Sequence, residues 1–155
     1  MKQLQLFRRD ASRAHPTLTA ICAVLLSGCA TGPAFTELQP APEGNAQIYV
    51  YRTLRAFQNT MPKKIAIDGD QSRNLQNGSW MRVVVPPGSH TIAISHHLST
   101  LECRPVTVRL GAGQSAFVET WTATAGYPQM VVSCLAESRS AEAATTAMRG
   151  LRAAE

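Results

Sequence analysis

Residues 79–97 read SWMRVVVPPGSHTIAISHH and hold two strand patterns separated by a turn pattern. In the first half, apolar side chains occupy every second position from Met81 to Val85, with Arg82 between them, which predicts a strand with one apolar face. Pro87-Gly88 favours a turn. The β-branched residues that follow predict a second strand over 89–97.

The same pattern extends in both directions along the chain. Asn77-Gly78 is the best-marked turn and predicts a two-residue type I′ hairpin, and Asp68-Gly69 has the same chemistry. Short strands at this spacing predict an all-β, mainly antiparallel fold, a seven- to eight-stranded β-sandwich. The predicted strands are 46–53, 63–68, 72–76, 79–85, 89–97, 104–110, 115–123 and 129–135.

A short C-terminal helix is predicted at about 138–153, because this stretch is rich in Ala, Glu, Arg and Met. Ser140 is suited to cap its start, and Glu142 lies in the favourable first turn. A narrow apolar stripe is formed by Ala144, Met148 and Leu151. We expect the helix to pack on a sheet face, and a frayed helix is the alternative.

Residues 29–45 are rich in Pro, Gly, Ala and Thr and predict a flexible tether that precedes a β-sandwich domain over 46–155. At ~3.3 Å per residue, about 16 residues would stretch to roughly 50 Å, and a relaxed coil would span less than half of that.

Residues 1–28 have the order of a secretory signal: a basic start, the apolar run 17–26, and then small residues. The apolar run is about 10 residues long, whereas a transmembrane helix needs roughly 20. We therefore expect the segment to be removed after export.

The order Leu26-Ser27-Gly28-Cys29 resembles the lipobox of bacterial lipoproteins. The resemblance implies cleavage between Gly28 and Cys29 and a lipid, palmitate included, on Cys29. An ordinary signal with an incidental cysteine is the alternative. Because Ala30 rather than Asp follows, the resemblance implies the outer membrane, with the domain facing the periplasm.

Removing the signal changes the charge balance. The formal charge of the whole chain is +5. The signal contains four basic residues and one acidic residue. Its removal leaves 11 basic and 9 acidic residues, a net charge of +2. A nucleic-acid partner would require a strongly basic face. We therefore expect no nucleic-acid partner.

Two cysteines remain once Cys22 leaves with the signal and Cys29 carries a lipid. An even pair in an oxidising compartment predicts a disulfide between Cys103 and Cys134. A redox-active or nucleophilic cysteine is the alternative, but the sequence contains no CxxC motif.

Three histidines and two aspartates are the candidates for chemistry. His90 and His96 lie six residues apart on one predicted strand, about 20 Å at ~3.3 Å per residue, and His97 faces the other side. A single metal ion cannot reach all three, so surface or turn histidines are expected. Asp68 and Asp70 flank Gly69, where we expect local turn hydrogen bonds rather than a catalytic carboxylate pair.

Five aromatic residues could line a binding face, but core or cross-strand positions are the expectation. They are Tyr49, Tyr51, Trp80, Trp121 and Tyr127. No Gly-x-Ser-x-Gly, HExxH, P-loop or Gly-x-Gly-x-x-Gly pattern occurs. We therefore expect no enzyme activity, no metal and no cofactor.

Four segments together resemble a family of small bacterial lipoproteins with a domain of unknown function, related in style to PEGA and transthyretin-like β-sandwiches. They are residues 48–52, 67–69 and 85–92, and Gly113 with residues 116–118. The resemblance covers most of the chain from Gln47 to about Leu135. It implies a β-sandwich on a lipid anchor, without known catalytic residues.

The leading hypothesis is a non-enzymatic, lipid-anchored cell-envelope protein that binds an envelope protein or a cell-wall component such as peptidoglycan, through loops or an open sheet edge. A faint resemblance of residues 51–57 to type VI secretion lipoproteins keeps a secretion-system accessory protein open. A periplasmic inhibitor or small-ligand module also stays open, as does a cell-wall hydrolase.

Overall fold

The computed structural model describes residues 30–55, 61–70, 73–96, 103–125 and 131–154. Within them the chain is mostly β, with one short helix. The strands are β1 (Ala46–Arg52), β2 (Lys63–Ile67), β3 (Arg73–Leu75), β4 (Ser79–Val85), β5 (Gly88–His96), β6 (Val106–Leu110), β7 (Ser115–Ala125), β8 (Val131–Ser138) and β9 (Arg152–Ala153), and the helix is α1 (Ala141–Met148).

All eight predicted strands have counterparts, with ends displaced by at most three residues. The prediction of seven to eight strands does not include β9. With β9, the described part of the chain has nine strands. β9 was missed because two residues are too few for an alternation pattern.

The strands form two sheets, a large one in the order β8-β7-β1-β4-β9 and a small one in the order β3-β2-β5-β6. Neighbours are antiparallel in most pairs, as predicted, but β1 with β7 and β4 with β9 are parallel. Apolar side chains of both sheets form one core, so the arrangement is β-sandwich-like.

A second apolar layer lies on the other face of the large sheet. Strand β1 is buried along its whole length, because Ile48 and Val50 face the core between the sheets while Tyr49 and Tyr51 face this second layer. The second layer also contains Phe35, Phe117, Ala144, Met148 and Leu151. The helix therefore covers the large sheet.

Helix α1 has the predicted Ser140 cap, but it begins at Ala141 rather than at about 138 and ends earlier than predicted. The Ser140 hydroxyl accepts a hydrogen bond from the Ala143 N–H at 3.3 Å, and the helix stops at Met148 rather than near Ala153. Gly150 has a φ of +82°, which reverses the chain and returns Leu151 to the apolar layer.

The structure corrects the prediction that residues 29–45 form a flexible tether, since part of this stretch packs on the domain. The Phe35 side chain is 5% exposed, and its N–H donates to the Leu151 carbonyl at 2.8 Å. The Ala153 N–H donates to the Pro33 carbonyl at the same distance. A segment rich in Pro and Gly is held here because one aromatic side chain fills a gap beside the helix.

Asn77 and Gly78 do not form the predicted hairpin, because β3 belongs to the small sheet and β4 to the large one. The Asn77 side chain instead accepts from the Arg55 N–H at 3.3 Å and donates to the Arg55 carbonyl at 2.9 Å. The positive-φ pair that a type I′ turn requires occurs at Asp68 (φ 54°) and Gly69 (φ 79°).

Candidate functional site

An open stretch of strand β4 is the most distinctive feature of the described surface. Strand β4 pairs with β1 along its full length, but it pairs with β9 only at Ser79 and Trp80. Within the described residues, the stretch Met81–Val85 therefore has a neighbouring strand on one side only. A strand edge of this kind carries main-chain groups that another chain can pair with.

The residues that present these main-chain groups follow from the hydrogen bonds of β9. The Trp80 carbonyl accepts from the Ala154 N–H at 2.7 Å, so the main-chain groups of Trp80 face the edge. Because a strand repeats every two residues, the N–H and C=O of Arg82 and Val84 face the same way. The Val84 side chain is 44% exposed.

A groove with a volume of about 230 Å³ runs beside this edge. Its apolar walls come from the two sheets, and its rim carries charged side chains. The lining consists of Ile65, Ile67, Asp68, Asp70, Arg73, Met81, Val83, Val84, Val85 and Pro86. We call this site the β4 groove. It combines apolar side chains with main-chain pairing groups.

Two residues of the β4 groove lining, Asp68 and Pro86, are hydrogen-bonded to His90. His90 Nδ1 lies 2.6 Å from Asp68 Oδ2, and His90 Nε2 lies 2.8 Å from the Pro86 carbonyl oxygen. Asp68 Oδ1 also accepts the Thr91 N–H at 2.8 Å. The Asp68 side chain therefore bonds across to β5, which corrects the expectation that its hydrogen bonds stay within its own turn.

The two groups change each other's pKa. The hydrogen bond to Asp68, with smaller help from the Pro86 carbonyl and against a desolvation penalty, raises the pKa of His90 above 6.5. The hydrogen bonds from His90 and from the Thr91 N–H lower the pKa of Asp68 below 3.8. Each shift favours the ionised form of its group, the positive ring of His90 and the negative carboxylate of Asp68.

The structure also corrects the expectation that the histidines lie on the surface, since His90 is only 5% exposed. The His96 side chain and His97 lie outside the described part. Within that part, no group of three or more His, Cys, Asp or Glu side chains is arranged to hold a metal ion. Asp70 is exposed and is not among the described partners of Asp68.

Two cations that the sequence analysis did not identify lie in the core between the sheets. Lys63 is 0% exposed, and its Nζ donates to Thr120 Oγ1 at 2.8 Å. Arg52 is 3% exposed and donates to the Met61 carbonyl at 2.9 Å. Burial, followed by the charge of Arg52, lowers the pKa of Lys63 to about 7. Since Lys63 is enclosed, we assign it to the structure of the core.

The predicted cysteine pair is described only in part. Cys103 is buried, and its sulfur lies 3.9 Å from Thr120 Oγ1. The main chain of Cys134 pairs with Thr122 in the β7–β8 ladder, but its side chain lies outside the described part. The Cys103–Cys134 disulfide therefore stays a prediction.

The aromatic residues that the structure describes pack in the apolar layers or against neighbouring side chains, as expected. Tyr49 stacks on Phe117 with ring centroids 5.5 Å apart, and Trp80 meets Phe35 edge-on at the same distance. The Arg139 guanidinium lies 5.6 Å from the Trp121 ring. Tyr127 lies outside the described residues.

A second cleft, of about 490 Å³, lies between β6 and β7. Most of its side chains are polar, including Arg109, Gln114 and Arg139, so it lacks the apolar walls of the β4 groove. Within the described residues, no helix is both long and apolar enough to cross a membrane.

Two facing sheets with a helix on the outer face of the larger one define a β-sandwich-like domain. Residues 42–134 match the model of a family described as a protein of unknown function (DUF2846). The chain belongs to this family. No curated protein matches the chain. Helix α1 and strand β9 lie beyond the matched residues.

The match confirms the resemblance to a domain of unknown function. The lipoprotein and PEGA or transthyretin-like parts of that resemblance stay predictions. Gly28 and Cys29 lie outside the described residues, so cleavage and lipidation stay predictions as well.

Proposed function

We propose that this protein is a non-enzymatic cell-envelope lipoprotein that is anchored by Cys29 and binds an extended segment of another envelope protein along the β4 groove. The open edge of β4 carries the proposal. The order Leu26-Ser27-Gly28-Cys29 supports the anchor, with the outer membrane and the periplasmic side as the location.

The geometry of the edge favours a peptide over a sugar polymer. An extended chain beside β4 would pair its main chain with the N–H and C=O groups of Arg82 and Val84, which is how strand addition gives affinity. Alternate side chains of that segment would face the apolar wall formed by Met81, Val83 and Val85. Peptidoglycan sugars offer neither feature.

The outer face of the large sheet is covered, which favours binding at the open edge of β4 instead. On that face Tyr49 and Tyr51 are buried under the N-terminal segment and helix α1, so they are not available to a partner. Large apolar side chains that remain exposed in the described chain include Val84, at the edge itself.

Photo-crosslinking in the native host tests the binding site. A crosslinking amino acid at Asp70, on the groove rim, is expected to give a discrete protein adduct. The same amino acid at Ala93, on the outer face of the small sheet, is expected to give none. Val84→Pro removes the edge N–H and should lower the adduct yield about tenfold, since it breaks one hydrogen bond and blocks strand alignment.

Val84→Thr is the matched control, because it keeps the N–H and the β-branched shape, and it should leave the adduct unchanged. An adduct that forms from Ala93, or that survives Val84→Pro at full yield, would contradict binding at the β4 edge.

Labelling with a fatty-acid analogue tests the anchor separately. The wild-type chain is expected to incorporate the label and to fractionate with membranes, whereas Cys29→Ser is expected to lose both properties, because stable anchoring depends on the acyl chains. Labelling that persists in Cys29→Ser would place the lipid elsewhere and would disprove this assignment.

A further inference from the structure

The His90 ring connects three parts of the chain beside the β4 groove. Its nitrogens face the turn after β2 through Asp68 and the link between β4 and β5 through the Pro86 carbonyl, and the ring itself is carried by β5. We propose that His90 is a pH-dependent latch that ties Asp68 to Pro86, two residues of the groove lining, while both ring nitrogens carry a hydrogen.

The two partners of the ring dictate its protonation. A carboxylate and a peptide carbonyl are both hydrogen-bond acceptors, so each ring nitrogen must carry a hydrogen for both contacts to hold. A neutral imidazole carries one N–H and can satisfy only one of them. With distances of 2.6 and 2.8 Å, the geometry itself specifies the imidazolium form.

The elements around the ring bring few other charges to it. From the turn after β2, the Asp68 carboxylate faces the ring, whereas the neighbouring Asp70 is exposed and is not among its described partners. From β6, Val108 lies directly opposite His90, and Arg109 is on the other face by strand alternation. The link after β4 contributes the Pro86 carbonyl.

The latch joins residues that belong to the groove. Asp68 and Pro86 are both part of the groove lining, and Pro86 follows directly after the edge strand β4. When the ring loses a proton, one of the two contacts is lost, and either the turn at 68–70 or the link at Pro86 is released. The consequence for partner binding rests on the proposed function, but the latch itself does not.

The pH range in which the latch holds is set by the ionisation of His90 and of Asp68. A raised pKa for His90 means that the latch is complete below pH 6.5 and is lost as the pH rises through the folded-state value. A lowered pKa for Asp68 means that the acid limit lies below 3.8. The latch therefore holds between the folded-state pKa values of Asp68 and His90 and opens as the pH rises above that of His90.

The variant Asp68→Asn separates the latch from a plain structural contact. An asparagine can accept the Thr91 N–H with its oxygen and donate its N–H to the unprotonated Nδ1 of a neutral His90, while Nε2–H still donates to Pro86. All contacts are then kept without a charged ring. Asp70→Asn is the matched control, since it removes a carboxylate from the same turn but not the one that contacts His90.

The test uses the full chain purified in detergent. We expect nitrogen NMR to show both ring nitrogens of His90 protonated at pH 6, with half-protonation above pH 6.5, and the signal is assigned by its loss in His90→Gln. At alkaline pH, the amides of residues 68–70 and 88–91 are expected to exchange roughly tenfold faster in the wild type and in Asp70→Asn than in Asp68→Asn.

A neutral His90 ring at pH 6, or equal exchange in the wild type and Asp68→Asn at alkaline pH, would overturn the latch. None of these measurements involves a partner protein. The latch can therefore fail while the crosslinking result holds, and the crosslinking can fail while the latch holds.

Discussion

Replacing Phe35 with alanine is expected to lower the free energy of unfolding by about 3–5 kcal/mol. Phe35 is 5% exposed, meets the Trp80 ring edge-on at 5.5 Å, and lies in the apolar layer that also holds Met148. Its removal leaves a cavity beside the helix and loosens the segment that precedes β1. The effect is large because Phe35 is a bulky side chain buried against the helix and the large sheet.

Urea denaturation of the full chain measures this change, with Thr36→Ala as the matched control. Thr36 is the next residue and is exposed, so its truncation should alter the free energy of unfolding by less than about 0.5 kcal/mol. If Phe35→Ala proves as mild as Thr36→Ala, residues 30–45 are the free tether that composition alone suggests, and the second apolar layer does not include them.

Replacing Lys63 with methionine is expected to remove most of the pH dependence of stability between pH 7 and 10. Burial and the neighbouring charge of Arg52 lower the pKa of Lys63 from 10.5 to about 7. Between these values the unfolded chain binds more protons than the folded chain, so stability rises with pH. At about 1.4 kcal/mol per pKa unit, the rise amounts to roughly 4 kcal/mol.

The comparison of the wild type with the methionine variant isolates the contribution of Lys63 to this pH dependence. His90 contributes a slope of the opposite sign, but it is present in both proteins and cancels in the difference.

Lys64→Met is the control for this series, because Lys64 follows on the same strand and is partly exposed on the opposite face. From pH 7 to 9, the denaturation midpoint should rise more steeply in the wild type and in Lys64→Met than in Lys63→Met, which keeps only the opposing contribution of His90. A Lys63→Met protein with the wild-type slope would show that Lys63 keeps its ordinary pKa in the fold.

The strands were predictable because their signals are local. Alternation from Met81 to Val85 and the turn chemistry at Asp68-Gly69 depend on neighbouring residues, and strand boundaries followed within three residues. The Ser140 cap was readable for the same reason. The hairpin at Asn77-Gly78 was wrong, because a dipeptide does not encode which sheet the next strand joins.

The polar contacts of the core and of the candidate site were less predictable, because their partners come together from distant positions. Lys63 is separated from Thr120 by 57 residues, and Asp68 from His90 by 22. One signal was available: Lys63 shares the inward face of β2 with Ile65 and Ile67 by strict alternation, which places a cation in the core. No comparable signal marks the hydrogen bond between Asp68 and His90.

The sequence by itself determined where the strands and the helix begin, because propensity, alternation and caps act over a few residues. Only the tertiary structure decided which faces are covered and which edge is left open. The two-residue strand β9 ends beside Trp80, so the pairing groups of Arg82 and Val84 stay uncovered. That outcome depends on how far one strand extends along another, a long-range relation that no local pattern records.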